Sequence, residues 1–228
     1  MKRSEINRIM RDAIAFLKEQ NCLLPPFAYW TPEDWAEKGS EYNEIKQNSM
    51  GWDITDFGSG DYLKKGLLMF STRSGAYDPN GIIKPYAEKF MIVEEEQVTP
   101  YHFHDVRIED IINRGGGNLI LSVYNSREDG SLDDTPVHVN IDGRNFTIPA
   151  GQEIRLVPGE SITLYPGQYH SFWGEKGTGR ILLAEIANVV DPDSPNYNRF
   201  YEEASRFPAI EEDEAPLYLL LSEYPPCV

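Results

Sequence analysis

The chain has 228 residues, 40% hydrophobic and 25% charged, a composition that excludes a fibrous or disordered protein and suits one well-filled core with terminal additions. A formal charge of −16 repels phosphate backbones and anionic bilayers, which excludes nucleic acid and membrane surfaces as partners. The acidic runs Glu94–Glu96 and Glu211–Glu214 read as solvated faces or turns.

The N-terminus, Met-Lys-Arg-Ser-Glu, lacks the apolar core of a signal peptide, and no apolar stretch approaches membrane-spanning length. Ser4 is a candidate cap for a helix in which Ile6, Ile9, Met10, Ala13, Phe16 and Leu17 recur at three- and four-residue spacing. Cys22 and Cys227, near opposite ends and without a Cys-x-x-Cys pattern, indicate neither a disulfide framework nor a thiolate site. A reducing, cytoplasmic location is expected.

From Phe27 to Asp61 the chain is aromatic and irregular, with a short helix predicted where Thr31 precedes Pro32. Trp30 and Trp35 read as cover for the end of a core rather than a sugar-stacking surface. After Gly66 come runs of β-formers: 67–72, 90–93, 98–104, 119–124, 137–141, 146–148, 153–157, 161–165 and 181–186, punctuated by Asp142-Gly143, Pro158-Gly159 and Pro166-Gly167. So many strands without intervening helices predict an antiparallel barrel or sandwich. The expected organisation is a single domain: a helical and irregular segment over 1–65, a β-barrel over 66–188, and a C-terminal extension over 189–228 with helical pieces around Asn198 to Ser205.

Of the four histidines, three fall in one pattern: His102-Phe103-His104, Glu109 five residues on, then Pro166-Gly167-Gln168-Tyr169-His170. Strand residues two apart share a face, so His102 and His104 can present their rings to one ion, with Glu109 returning across a turn and His170 arriving from a separate strand. His138 has no such neighbours and reads as structural or surface. Three imidazoles and a carboxylate suit Mn, Fe, Co, Ni or Zn.

These residues resemble the two motifs of the cupin superfamily, a small β-barrel that holds a divalent metal through three histidines and a glutamate. Gly115 to Gly117 supply the glycine expected after the first motif. Gly174 stands where an asparagine often closes the second. Outside the barrel, Glu5-Ile6-Asn7-Arg8, Trp52 through Gly58, Lys84-Pro85-Tyr86-Ala87-Glu88-Lys89, and Arg206-Phe207-Pro208 through Ile210-Glu211-Glu212-Asp213-Glu214 make the whole chain similar to the D-lyxose isomerase family. That resemblance implies a jelly-roll cupin homodimer that uses Mn2+ to interconvert D-lyxose and D-xylulose, with D-mannose and D-fructose as a related pair. Zn2+, Co2+, Fe2+ and Ni2+ also fit the donors.

With Glu109 committed to the metal, the proton carrier is expected elsewhere. Lys89 reads either as a group that stabilises charge or moves an oxygen-bound proton, or as a solvated edge lysine. Similarity to the family favours Glu203 as base, with Asp213 as a weaker candidate; either is equally readable as a surface acid. The alternatives are a cupin Fe(II) dioxygenase dependent on oxygen, a phosphosugar isomerase, disfavoured by the acidic balance, and a sugar-binding barrel without turnover.

Overall fold

The computed structural model describes residues 1–75, 84–189, 198–205 and 207–227. The helical periodicity at the N-terminus becomes α1 (Arg3–Glu19), with Ile6, Ile9, Met10, Ala13, Phe16 and Leu17 all buried. Its start differs from expectation. Lys2 occupies the cap position without a side-chain bond, while the Ser4 N–H and hydroxyl donate to Asp213 at 2.9 and 2.7 Å. The C-terminal segment thus supplies the negative charge that a helix N-terminus favours. The short helix after Thr31 forms as α2 (Pro32–Ala36), closed by a reciprocal Thr31–Asp34 capping box; α3 (Asn43–Gln47) follows.

Apart from three short 3-10 helices, the remaining described elements are strands, all paired antiparallel. The larger sheet runs in the spatial order β1 (Gly51–Thr55), β2 (Leu67–Ser74), β3 (Tyr86–Val93), β13 (Ile181–Asn188), β5 (Glu109–Gly116), β11 (Ser161–Leu164), β8 (Val137–Ile141) and β9 (Arg144–Ile148). The smaller runs β10 (Glu153–Leu156), β6 (Leu119–Ser126), β12 (Gln168–Gly174), β4 (Thr99–Phe103) and β14 (Arg199–Phe200), with β7 (Leu132–Asp133) beside β6. The strands β1, β5, β7, β12 and β14 exceed those the sequence pattern predicts, and with β1 the large sheet begins upstream of Gly66. The helical pieces expected around Asn198 to Ser205 are also replaced. Arg199 and Phe200 pair with Phe103 and His102, and the Tyr201 N–H donates to the Tyr101 carbonyl at 2.9 Å. Backbone groups of β4 offer this segment partners that a short isolated helix would not gain.

Strand alternation separates two cores. Trp52 and Ile54 of β1, with Leu68, Phe70, Ile92 and Leu182, face outward and pack beneath α1. Leu121, Val123 and Phe172 of the small sheet meet Val93, Ile111, Ile162 and Leu183 of the large one in the barrel interior. Trp35 is buried in the first core with Trp30 against it, as cover for that core. His138 is exposed, and Cys22 and Cys227 are free thiols. No helix among the described residues is long and apolar enough to cross a membrane.

Candidate active site

The site begins on β4, whose two-residue period brings His102 and His104 to the same side. His170 of β12 sits directly opposite His102 in register, and their ring centroids are 4.2 Å apart. One ring nitrogen from each of His102, His104 and His170 lies within 4.8 Å of the others. Glu109, the first residue of β5, reaches the cluster from the other sheet: Oε2 stands 3.3 Å from His104 Nε2 and Oε1 3.2 Å from His170 Nε2.

Two of the rings are oriented by backbone. His102 Nδ1 lies 2.9 Å from the Pro100 carbonyl and His170 Nδ1 3.1 Å from that of Gln168. A carbonyl only accepts, so each Nδ1 carries the proton and each Nε2 keeps a lone pair for a cation. Loss of solvent around His102, with His170 and His104 beside it, holds that imidazole well below its usual range, in the neutral form that ligates. Burial alone would raise the Glu109 carboxyl, but His104 and His170 outweigh it and keep it well below the carboxylate range. Glu109 Oε2 and His170 Nε2 are buried without a hydrogen-bond partner. Buried polar atoms are seldom orphaned, and a cation would satisfy both. The three-histidine cluster therefore fits a divalent metal.

The turn from His104 to Glu109 tucks Arg107 inside, 6% exposed, between Val106 and Ile108 at 60% and 46%. Its Nη1 stands 3.8 Å from Glu109 Oε2 and 3.7 Å from Glu185 Oε1. Glu185 lies on β13 opposite Lys89 of β3, and Lys89 Nζ donates to Glu185 Oε1 at 2.6 Å. All these groups line one cavity of about 520 Å3, a size typical of small-molecule sites.

Of the residues predicted from sequence, His102, His104, Glu109, His170 and Lys89 are brought together. Glu203 and Asp213 are not. Glu203 is exposed and does not line the cavity. Asp213 is held by Ser4 at the start of α1, so neither candidate base is positioned to act here. Arg206 of the last family-like stretch lies outside the described residues. Sequence reasoning missed Glu185 and Arg107. A lone carboxylate inside Ile-Leu-Leu-Ala-Glu-Ile-Ala is the signal that marks Glu185, because an unpaired charge is costly in a buried strand.

The family model for D-lyxose isomerase matches residues 1–224. The chain belongs to the D-lyxose isomerase family. It is an aldose–ketose isomerase, and its barrel is of the cupin type that the two histidine motifs predict. Relatives include a D-lyxose/D-mannose isomerase of Serratia proteamaculans, 45% identical over 98% of both chains, and one of Escherichia coli O157:H7, 42% identical over the same share. The fold is shared with the L-ribose isomerases of Acinetobacter sp. DL28 and Cellulomonas parahominis, at TM-scores of 0.62 and 0.61. Each is 14% identical, over 92% of this chain and 98% of theirs.

Proposed function

We propose that this chain interconverts D-lyxose with D-xylulose, and D-mannose with D-fructose, using Mn2+ held by His102, His104, Glu109 and His170. The observation that carries the reading is the Lys89–Glu185 pair, placed in the same cavity as the histidine cluster. The substrate assignment is supported by relatives at 42–45% identity named for these two sugars. When bound, the ion supplies Lewis-acid stabilisation of charge developing on neighbouring sugar oxygens.

The chain's own groups supply the proton transfers. Glu185 takes the proton from C2 of the open-chain aldose as the electrons move through C1 to the carbonyl oxygen, which gains a proton from Lys89. Loss of the hydroxyl proton at C2 back to Lys89 forms the new carbonyl, and Glu185 returns its proton to C1. Arg107 holds the Glu185 carboxylate in place between these events. A homodimer is supported by the exposed Val106, Ile108 and Tyr86, gathered at one end of the large sheet where Asn188 pairs with Tyr86 and accepts from the Ile108 N–H. The two free cysteines are in keeping with the cytoplasm.

The test is an anaerobic assay of metal-free and Mn(II)-loaded protein on both aldoses in deuterium oxide. Ketose carrying solvent deuterium at C1 is expected. No ketose with any divalent ion overturns the reading, and ketose without deuterium replaces proton transfer by a hydride shift.

A further inference from the structure

Glu109 Oε2 and His170 Nε2 share their condition with an atom that a cation does not account for. Asn198 Oδ1 is shielded from solvent in the same cavity and receives no hydrogen bond, and neither the metal cluster nor the proposed proton transfers use it. An acceptor left unmet in a ligand cavity marks a place where the bound molecule supplies the donor.

Strand pairing puts Asn198 beside the cluster. In β14, Arg199 pairs with Phe103 and Phe200 with His102, so one further step brings Asn198 opposite His104. Arg199 Nε donates to Asp105 Oδ2 at 3.1 Å, which holds this stretch alongside the end of β4. Residues two apart share a face: Phe200, whose ring centroid lies 5.4 Å from that of His102, and Asn198 both line the cavity. Side chains directly opposite across a strand pair stand about 5 Å apart, so a sugar held at the histidine cluster carries hydroxyls within reach of Asn198. A carboxamide oxygen only accepts. The O–H of a neutral sugar serves it, whereas an ionised carboxylate brings no donor to that point.

We propose that Asn198 is a substrate-binding residue whose Oδ1 accepts a hydrogen bond from a hydroxyl of the sugar held at the histidine cluster. The inference rests on the sugar-isomerase reading above, and the experiment separates the two. Its probes are D-lyxose for turnover and D-arabitol, the polyol formed by reducing D-lyxose, for binding without reaction. Asn198→Leu and Asn198→Ala remove the acceptor, and Asn198→Asp keeps one. For each full-length enzyme, Mn(II) affinity is read from titration of the free ion, D-arabitol binding from calorimetry of the Mn(II)-loaded protein, and folding from the melting temperature.

Asn198→Leu and Asn198→Ala should weaken D-arabitol binding and lower kcat/KM for D-lyxose by about 10- to 100-fold each, while Mn(II) affinity stays within about threefold of wild type. Asn198→Asp should recover most of the polyol binding. A loss of Mn(II) affinity, with D-arabitol bound as in wild type once the site is saturated, would mean that Asn198 only supports the metal ligands. Unchanged D-arabitol binding and unchanged Mn(II) affinity would mean that it does not meet the sugar, and an Asp enzyme as weak as Leu would mean that Oδ1 is not an acceptor. Each of these results overturns the proposal while leaving isomerisation intact. A wild-type enzyme that neither converts D-lyxose nor binds D-arabitol overturns the substrate reading and this inference with it.

Discussion

Lys89 and Glu185 face each other in register across β3 and β13, and their side chains meet at 2.6 Å inside the cavity. In the proposed reaction the Glu185 carboxylate takes the C2 proton, and Arg107 Nη1 stands 3.7 Å from the oxygen that Lys89 meets. Glu185→Gln retains an acceptor for Lys89 but cannot carry a proton. It should lower kcat by about 10²- to 10⁴-fold with KM and metal content little changed. A Gln enzyme within threefold of wild type would remove Glu185 from the reaction.

The proposed metal donors come from both sheets, with His102 and His170 on the small one and Glu109 on the large one. An ion held by all four proposed ligands would therefore cross-link the barrel. At a concentration about 100 times its dissociation constant it would add about 2.7 kcal/mol, or roughly 5 to 10 °C in melting temperature for a chain of this size. Chelation should remove that increment together with activity, and Mn(II) should restore both. Calorimetry with and without chelator is the check, and His170→Ala should melt at the chelated temperature whether or not metal is added.

The metal half of this site was legible because His102 and His104 obey the two-residue strand period, and because few histidines exist to be misplaced. The strand carrying Glu109 was harder to see. In Glu109–Gly116 the buried face holds Glu109 and Asn113 while Asp110 and Ile112 are half-buried, so polar groups occupy the side where apolar ones normally announce a strand. Glu185 was hidden for the converse reason, inside an apolar run. Glu203 and Asp213 drew notice through their place in the chain, but pairing of β14 with β4 and docking of the C-terminal segment on α1 depend on contacts between residues far apart in sequence.

The start of α1 should respond to acid. Bonds from Arg3 hold the Glu212 carboxyl below its usual range, and bonds from Ser4 do the same for Asp213. Groups depressed in the folded state contribute stability that is full above their unfolded values of about 4.3 and 3.9. That contribution is lost as pH falls through the lower folded values. Urea midpoints should thus be insensitive to these groups between pH 5 and 7 by this reasoning and decline further down. In Glu212→Gln/Asp213→Asn the decline below about pH 4 should flatten, and an unchanged acid limb would show that other carboxylates govern it.

Gly51 opens β1 at φ +118°, and a Cβ there would collide with the Tyr224 hydroxyl, which donates to the Met50 carbonyl. Gly51→Ala should cost about 1 to 3 kcal/mol from backbone strain and more from the collision. Adding Tyr224→Phe should relieve the second part only. Denaturant midpoints of the single and double variants measure the split, and full recovery in the double variant would show that φ carries no penalty.

Arg3 is enclosed, 1% exposed, and its guanidinium is answered by Glu212 and Glu223, 209 and 220 residues further along. During synthesis the arginine leaves the ribosome long before its counter-charges. At about 5 to 20 residues per second, that interval is roughly 10 to 40 s. Throughout it α1 lacks the acids that neutralise its buried cation, so the nascent chain cannot seal this end early. Closure of the N-terminal helix is thereby timed to synthesis of the segment that carries Glu212 and Glu223, and a chain that stops short of Glu212 would leave Arg3 without either partner.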